Sequence, residues 1–125
     1  MSQQLIFVYG TLRRGGRLGH VLGKDQLYFD DPIRVEGLQM RAVSKSFPAV
    51  RQTGRTEDVV TGELYSVSGT MIRRLDQIED VGGGMYRRVQ IDVGEGLEAW
   101  VYVWGVNEKM WQAAPVITSG DWINR

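Results

Sequence analysis

The hydrophobic pattern of the chain begins with a continuous apolar run at residues 5–9, which ends at Gly10. A short β-branched and aromatic run without polar alternation is typical of a strand buried on both faces. Two further β regions follow, at residues 33–43, where Gly37 suggests a bulge or a close backbone approach, and at residues 59–67. The segment at residues 11–23 is rich in glycine and arginine and predicts a loop.

One segment has the periodicity of a helix. Ser68 is a favourable N-cap residue, and the helix is predicted to continue to about Glu79 or Asp80. Its core-facing side is predicted from four apolar residues at helical spacing, which are Met71, Ile72, Leu75 and Ile78. Three glycines at residues 82–84 are expected to stop the helix.

The last strong β signal is a pair of runs at residues 86–93 and 97–104, separated by a Gly-Glu-Gly segment. This spacing predicts a hairpin with a three-residue loop and therefore a sheet that is at least partly antiparallel. Several short strands with one convincing helix indicate an α+β fold with a mixed, curved or barrel-like sheet. A chain of 125 residues without a repeat or linker is expected to form a single domain over residues 1–125.

Composition and charge narrow the classes of function. Fifteen basic and fifteen acidic residues give a formal net charge of zero, which offers no overall attraction for nucleic acid or a membrane surface. The chain has no cysteine and one histidine, His20, so we expect no thiol catalysis and no multi-histidine metal site. The N-terminal apolar run lacks a basic flank and is too short for a signal peptide or a membrane span, so a cytoplasmic location is expected.

The first candidate site is the turn that follows the buried strand, at residues 8–12. Gly10 permits close approach of the backbone, so successive N–H groups can face one concavity and hold a carboxylate or an oxyanion. The alternative is a glycine that simply ends a strand. The adjacent Arg13, Arg14 and Arg17 fit solvated surface, although they lie close enough in sequence to line a pocket.

The second candidate is Glu79, which lies at the border of the buried stripe near the predicted helix end. A carboxylate there is disfavoured by the helix dipole, and neighbouring Asp76 and Asp80 add like charge, so we expect a raised pKa suited to general acid–base chemistry. The alternative is a solvated acidic helix end that is paired with Arg73, Arg74 or Arg87.

Five motifs in order along the chain give it a family resemblance. They are Y-G-T-L-R at residues 9–13, V-x-G-E-L-Y at 60–65, L-D-x-x-E at 75–79, Y-R-R at 86–88 and S-G-D-W at 119–122. Each motif alone is weak, but their order and placement cover nearly the whole chain. Together they resemble the γ-glutamylcyclotransferase-like family, which includes γ-glutamylamine cyclotransferases and AIG2-like proteins.

The resemblance implies a small, largely antiparallel β-barrel with flanking helices and a cavity whose rim is the Y-G-T-L turn. It implies that Glu79 is the catalytic carboxylate. It also implies that the γ-glutamyl group is held by the turn and by a wall tyrosine, through residues Tyr9, Gly10, Thr11, Leu12 and Tyr86. The implied reaction is intramolecular attack of the substrate's α-amine on its γ-carbonyl, which releases 5-oxoproline and a free amine without a cofactor or a metal.

Two other classes of function use the same residues differently. A non-catalytic binding protein for γ-glutamyl or amino-acid-like ligands would need the cavity but not an ionisable Glu79. An interaction module would need an exposed apolar patch, for which the four tryptophans are the candidates. The leaving amine, the physiological substrate and the oligomeric state stay open at this point.

Overall fold

The strands and helices follow the apolar runs of the sequence closely. The computed structural model describes residues 3–23 and 25–125. Lys24 lies outside the described residues, as do Met1 and Ser2 of the N-terminal segment discussed above. The strands are β1 (Gln4–Val8), β2 (Gln26–Leu27), β3 (Ile33–Glu36), β4 (Leu38–Arg41), β5 (Ala49–Gln52), β6 (Val59–Val67), β7 (Tyr86–Asp92) and β8 (Glu98–Trp104). The helices are α1 (Gly69–Ile78), α2 (Glu108–Ala113) and a short 3₁₀ helix (Gly19–Leu22).

Strand β1 lies in the middle of the main sheet, which explains its unbroken apolar sequence. It runs antiparallel to β6, with Gln4 opposite Val67 and Val8 opposite Glu63, and parallel to β8 through Ile6 and Trp100. The strand order is β2-β6-β1-β8-β7, with β3 on the first half of β6, and β4 and β5 form a separate two-stranded sheet. The prediction of an α+β fold with a largely antiparallel sheet is therefore confirmed.

The predicted closure of this sheet into a barrel is wrong. Among the described residues, β7 at one end does not pair with β2 or β3 at the other, so the sheet is open. The region at residues 33–43 is also two strands and not one. The chain turns at Gly37, where φ is +87°, and β3 and β4 then join different sheets.

Helix α1 begins as predicted, with the Ser68 Oγ accepting a hydrogen bond of 3.1 Å from the Met71 N–H. Its buried face is centred on Ile72 and Leu75, whereas Ile78 is 37% exposed, so the prediction that Ile78 faces the core is wrong. The helix ends at Ile78 with Glu79 as its C-cap residue. Asp80 follows with φ at +53°, so the chain leaves the helix before it reaches the three glycines.

The predicted hairpin is confirmed. Tyr86 of β7 pairs with Trp104 of β8, and Asp92 pairs with Glu98 at the loop end. The apolar side chains of the sheet form two hydrophobic clusters. Trp104, Trp111 and Trp122 are buried in these clusters and Trp100 packs against one of them, so the tryptophans do not form an exposed apolar patch. None of the helices in residues 3–23 and 25–125 is long and apolar enough to cross a membrane.

Candidate active site

A cavity of about 170 Å³ lies where the end of β1, the start of β5, the end of α1 and the start of β7 meet. Cavities that take drug-sized ligands are usually larger, at about 300–1,000 Å³. This one therefore suits a ligand of amino-acid size. The structure brings all of the predicted site residues to its wall, namely Tyr9, Gly10, Thr11, Leu12, Glu79 and Tyr86.

The turn after β1 contributes residues 9–12 to this wall. It is held in shape by two hydrogen bonds, one of 3.0 Å from the Arg13 N–H to the Gly10 carbonyl and one of 2.7 Å from the Leu18 N–H to the Thr11 carbonyl. Within the described part of the chain, the N–H groups of Gly10, Thr11 and Leu12 donate no hydrogen bond. Residues 10–12 line the cavity, so their unpaired N–H groups are available to an anionic or carbonyl oxygen of a ligand.

Gly10 has a steric role in this turn. A Cβ atom at this position would lie 2.8 Å from Cγ and 2.9 Å from Cδ of Pro48, closer than such atoms normally approach. Pro48 also lines the cavity. Because the proline ring is rigid, a side chain at residue 10 would displace either the turn or the opposite wall. The close packing of the turn against Pro48 therefore requires glycine at residue 10, and its role in holding a ligand stays a prediction.

Glu79, the C-cap residue of α1, lines the same cavity and is partly buried. Burial raises the pKa of its carboxyl group from an ordinary value of 4.5 to about 7. Among the described residues, no cation lies within ion-pairing distance of Glu79, so pairing with Arg73, Arg74 or Arg87 is not observed. The carboxyl group is thus an ionisable group that faces the cavity without a fixed partner.

The predicted direction of the Glu79 pKa is confirmed, but the predicted causes are not. Burial is the cause, whereas the sequence suggested the helix dipole and the like charges of Asp76 and Asp80. Asp76 is already paired, because its two carboxylate oxygens accept hydrogen bonds of 2.8 and 3.1 Å from Arg88. Asp76 also accepts a hydrogen bond of 2.7 Å from the Tyr102 hydroxyl. This pairing fixes the wall beside Glu79.

Three tyrosines complete the cavity wall, and their hydroxyl groups point to fixed acceptors. The Tyr9 hydroxyl donates to the Tyr102 carbonyl and the Tyr86 hydroxyl donates to the Pro48 carbonyl, each at 2.7 Å. Burial is the main reason that the pKa values of Tyr9, Tyr86 and Tyr102 are raised well above their ordinary value. These phenols therefore stay protonated and shape the cavity, which leaves Glu79 as the group able to exchange a proton near neutral pH.

Several cavity residues were not predicted from the sequence, and they include Leu18, Phe47, Pro48, Met85 and Tyr102. Arg17 lines the cavity, as the second interpretation of the arginine-rich loop allowed. The apolar segment Phe47-Pro48 inside a polar neighbourhood was the one available signal. Arg14 and Arg17 are exposed, but Arg13 is 3% exposed, so solvated surface was the wrong interpretation for Arg13. The described residues include no group of three or more acidic, histidine or cysteine side chains placed to hold a metal ion.

Comparison with known proteins points to one family. The family profile described as "Gamma-glutamyl cyclotransferase, AIG2-like" matches residues 6–124. The chain is 32% identical over 123 residues to a Vibrio cholerae protein named as a candidate γ-glutamylcyclotransferase, with 98% of each chain covered. It is 29% identical over 133 residues to the γ-glutamylaminecyclotransferase of Mus musculus, which covers 93% of this chain and 88% of that protein.

Solved structures agree with the sequence matches. The crystal structure of an AIG2-like protein from Mus musculus superposes with a TM-score of 0.75 at 27% identity, and it covers 94% of this chain and 88% of that one. An uncharacterised protein from Pyrococcus horikoshii gives a TM-score of 0.75 at 27% identity, with 97% and 91% covered. The profile match over nearly the whole sequence, together with the shared fold, shows that this chain belongs to the γ-glutamylcyclotransferase, AIG2-like family.

Proposed function

We propose that the protein is an enzyme that cleaves a γ-glutamyl amide and releases 5-oxoproline and a free amine. The observation that carries this proposal is the pairing of two features in one small cavity. Glu79 is an unpaired carboxyl group with a pKa of about 7, and the N–H groups of residues 10–12 are without hydrogen-bond acceptors in the described chain. A binding protein would need the cavity, but it would not need an ionisable Glu79.

In the proposed reaction, the α-amine of the substrate attacks its own γ-carbonyl carbon. A new C–N bond closes the five-membered lactam while the carbonyl oxygen becomes an oxyanion. The N–H groups of Gly10, Thr11 and Leu12 are the candidate donors to that oxyanion. Glu79 accepts the proton of the attacking nitrogen and returns it to the leaving nitrogen as the original C–N bond breaks.

The chemistry asks little of the protein beyond positioning and one proton transfer. Well-oriented intramolecular reactions reach effective molarities of roughly 10⁵ to 10⁸ M, so the main task is to fold the γ-glutamyl chain so that its ends meet. A cavity of about 170 Å³ enforces such a compact shape. A general base is most effective when its pKa lies near the working pH, and the pKa of about 7 for Glu79 meets this condition.

The test is incubation with a panel of γ-glutamyl compounds that differ in the leaving amine: α-amino acids, the ε-amine of lysine, simple amines and cysteinylglycine, which is the leaving amine of glutathione. The product is followed by mass spectrometry, and we expect 5-oxoproline. The matched control for each compound is its N-acetyl derivative, which keeps the γ-carbonyl and the leaving group but removes the nucleophile. We expect no turnover of the N-acetyl compounds.

Three outcomes would refute the proposal. Glutamate as the first product, or equal turnover of the N-acetyl compounds, would mean that water is the nucleophile and that the protein is a hydrolase. Binding of γ-glutamyl compounds without any turnover across the panel would favour a non-catalytic binding protein.

A further inference from the structure

Arg13, the residue that follows the cavity turn, belongs to a largely buried cluster of charged side chains with Glu63 and Asp121. The Arg13 Nε donates to Glu63 Oε2 at 3.0 Å, and Arg13 Nη1 donates to Asp121 Oδ1 at 2.8 Å. Arg13 is 3% exposed and Glu63 is 6% exposed. None of these three side chains lines the cavity, so the proposed chemistry does not use them directly.

The cluster joins three segments that are distant in sequence. Arg13 ends the Y-G-T-L-R motif, Glu63 is the acid of V-x-G-E-L-Y, and Asp121 is the acid of S-G-D-W. Glu63 and Asp121 lie 50 and 108 residues from Arg13 along the chain. Three charged residues from three different motifs, for which the reaction has no direct use, therefore meet at one place in the fold.

Both oxygens of Glu63 act on the turn. While Oε2 accepts from the Arg13 side chain, Oε1 accepts a hydrogen bond of 2.6 Å from the backbone N–H of Arg14. Glu63 itself is opposite Val8 in the β1–β6 pairing, at the last paired position before the turn. One carboxylate therefore holds the side chain of residue 13 and the backbone of residue 14 against the central sheet.

The C-terminal segment holds Asp121 in place. Its Oδ1 also accepts from the backbone N–H groups of Ile123 and Asn124, each at 3.2 Å. The preceding Gly120 carbonyl accepts a hydrogen bond of 2.8 Å from the Thr61 N–H of β6. The Arg13 side chain is therefore anchored on both sides by groups that belong to rigid hydrogen-bonded structure.

Energetics argue that the cluster has a role besides stability. Moving charges out of water is expensive, and buried ion pairs are often no more stabilising than apolar side chains of the same volume. What a buried guanidinium does provide is direction, because its planar fork fixes the positions of the groups it binds. Here the guanidinium fixes residue 13, which directly follows Leu12 of the turn.

We propose that Arg13, Glu63 and Asp121 are positioning residues, which hold the turn at residues 10–12 in a fixed place at the cavity wall. The catalytic part of this inference rests on the proposed function. The connection runs through the backbone, because the Arg13 N–H bonds the Gly10 carbonyl and the Leu18 N–H bonds the Thr11 carbonyl. A displacement of about 1 Å in a positioning group can lower a rate by about 10²-fold.

The test compares Arg13→Lys with the wild-type protein. Lysine keeps the positive charge, so the two carboxylates are not left unpaired, but it lacks the fork that binds both at fixed angles. Asp121→Asn is the second, milder variant, since it keeps an oxygen acceptor for Arg13 and for the C-terminal amides. Arg34→Lys is the matched control, because Arg34 is an exposed residue of β3 beside the same strand β6.

The first readout is native-state hydrogen exchange, which needs no substrate. In Arg13→Lys we expect the amides of Arg14 and Leu18 to exchange at least tenfold faster, with the amides of β7 and β8 unchanged, because the opening is local. Equal acceleration at all slowly exchanging amides would mean that the cluster serves only global stability, and unchanged exchange would mean that it does not hold the turn. Either result overturns the proposal, whether or not any γ-glutamyl compound reacts.

The second readout is the kinetics with the γ-glutamyl compound that gives most 5-oxoproline. We expect kcat/KM of Arg13→Lys to fall about tenfold or more, and its acidic pH limb to stay where it is in the wild type, because Arg13 bonds Glu63 and Asp121 and not Glu79. A smaller loss is expected for Asp121→Asn and none for Arg34→Lys. Wild-type kcat/KM in a variant whose turn exchanges faster would overturn the catalytic part of the proposal.

Discussion

Replacing Glu79 by glutamine should make the protein more stable at alkaline pH while it removes the proposed base. The wild-type carboxyl group has a pKa of about 7 in the folded protein, compared with an ordinary value of 4.5. The folded state therefore binds this proton more tightly than the unfolded state. By linkage, the contribution of Glu79 to stability falls as the pH rises from about 4.5 to about 7 and then levels off.

The magnitude follows from the two pKa values. Each pKa unit corresponds to about 1.4 kcal/mol, so desolvation of the ionised Glu79 carboxylate costs about 3 kcal/mol above pH 7. At pH 5 the same relation gives a cost of about 1 kcal/mol. At this pH the carboxyl group is mostly ionised in the unfolded chain but mostly protonated in the folded protein. Glutamine does not titrate. The stability of Glu79→Gln relative to wild type should therefore increase by about 2 kcal/mol between pH 5 and pH 8.

The measurement is urea unfolding of both proteins at pH 5, 6, 7 and 8, with the wild-type free energy subtracted at each pH so that other titrating groups cancel. For an m value of about 2 kcal/mol/M, the difference between the urea midpoints of the two proteins should change by about 1 M from pH 5 to pH 8. Glu98→Gln serves as the control because Glu98 is exposed on β8. We expect the unfolding free energy of this variant relative to wild type to stay constant over the same pH range. A Glu79→Gln difference that is constant within about 0.5 kcal/mol from pH 5 to pH 8 would refute the idea that Glu79 ionises in a desolvated cavity.

Three further predictions concern activity and stability. With the active γ-glutamyl compound, kcat/KM should fall about tenfold per pH unit below about pH 7 as Glu79 becomes protonated, and a pH-independent rate from pH 5 to pH 8 would exclude Glu79 as the base. Glu79→Gln should reduce kcat by about 10² to 10⁴-fold, and near-wild-type turnover would remove this residue from the mechanism. Gly10→Val should raise the dissociation constant for 5-oxoproline, measured by calorimetry, because its side chain would overlap Pro48; unchanged binding in a folded variant would contradict this.

Much of the fold follows from local patterns because the decisive signals are short-range. The β7–β8 hairpin is encoded by two β-rich runs around a Gly-Glu-Gly loop in which Gly94, Glu95 and Gly96 all have positive φ. The start of α1 is encoded by Ser68, whose hydroxyl caps the first turn. The site residues were predicted on the resemblance of five motifs, and the structure places them around one cavity. Their roles remain predictions for the experiments above.

What the sequence could not supply is long-range geometry. Ile78 has helical spacing for the core, but α1 ends there and the side chain lies at the edge of the cavity, 37% exposed. Arg13 is surrounded in sequence by glycines and other arginines, and its burial depends on partners at residues 63 and 121. Barrel closure also depends on whether the two ends of the sheet meet, which no local pattern encodes.

The parallel pairing of β1 with β8 has a consequence for how the chain acquires its cavity. Ile6 and its partner Trp100 are 94 residues apart, so β1 can complete its hydrogen bonding only after most of the chain has been synthesised. Contacts between such distant residues slow folding, and sheets of this type typically form in milliseconds to seconds. The cavity beside β1 therefore lacks one of its walls, Tyr102, until the last strand docks beside the first.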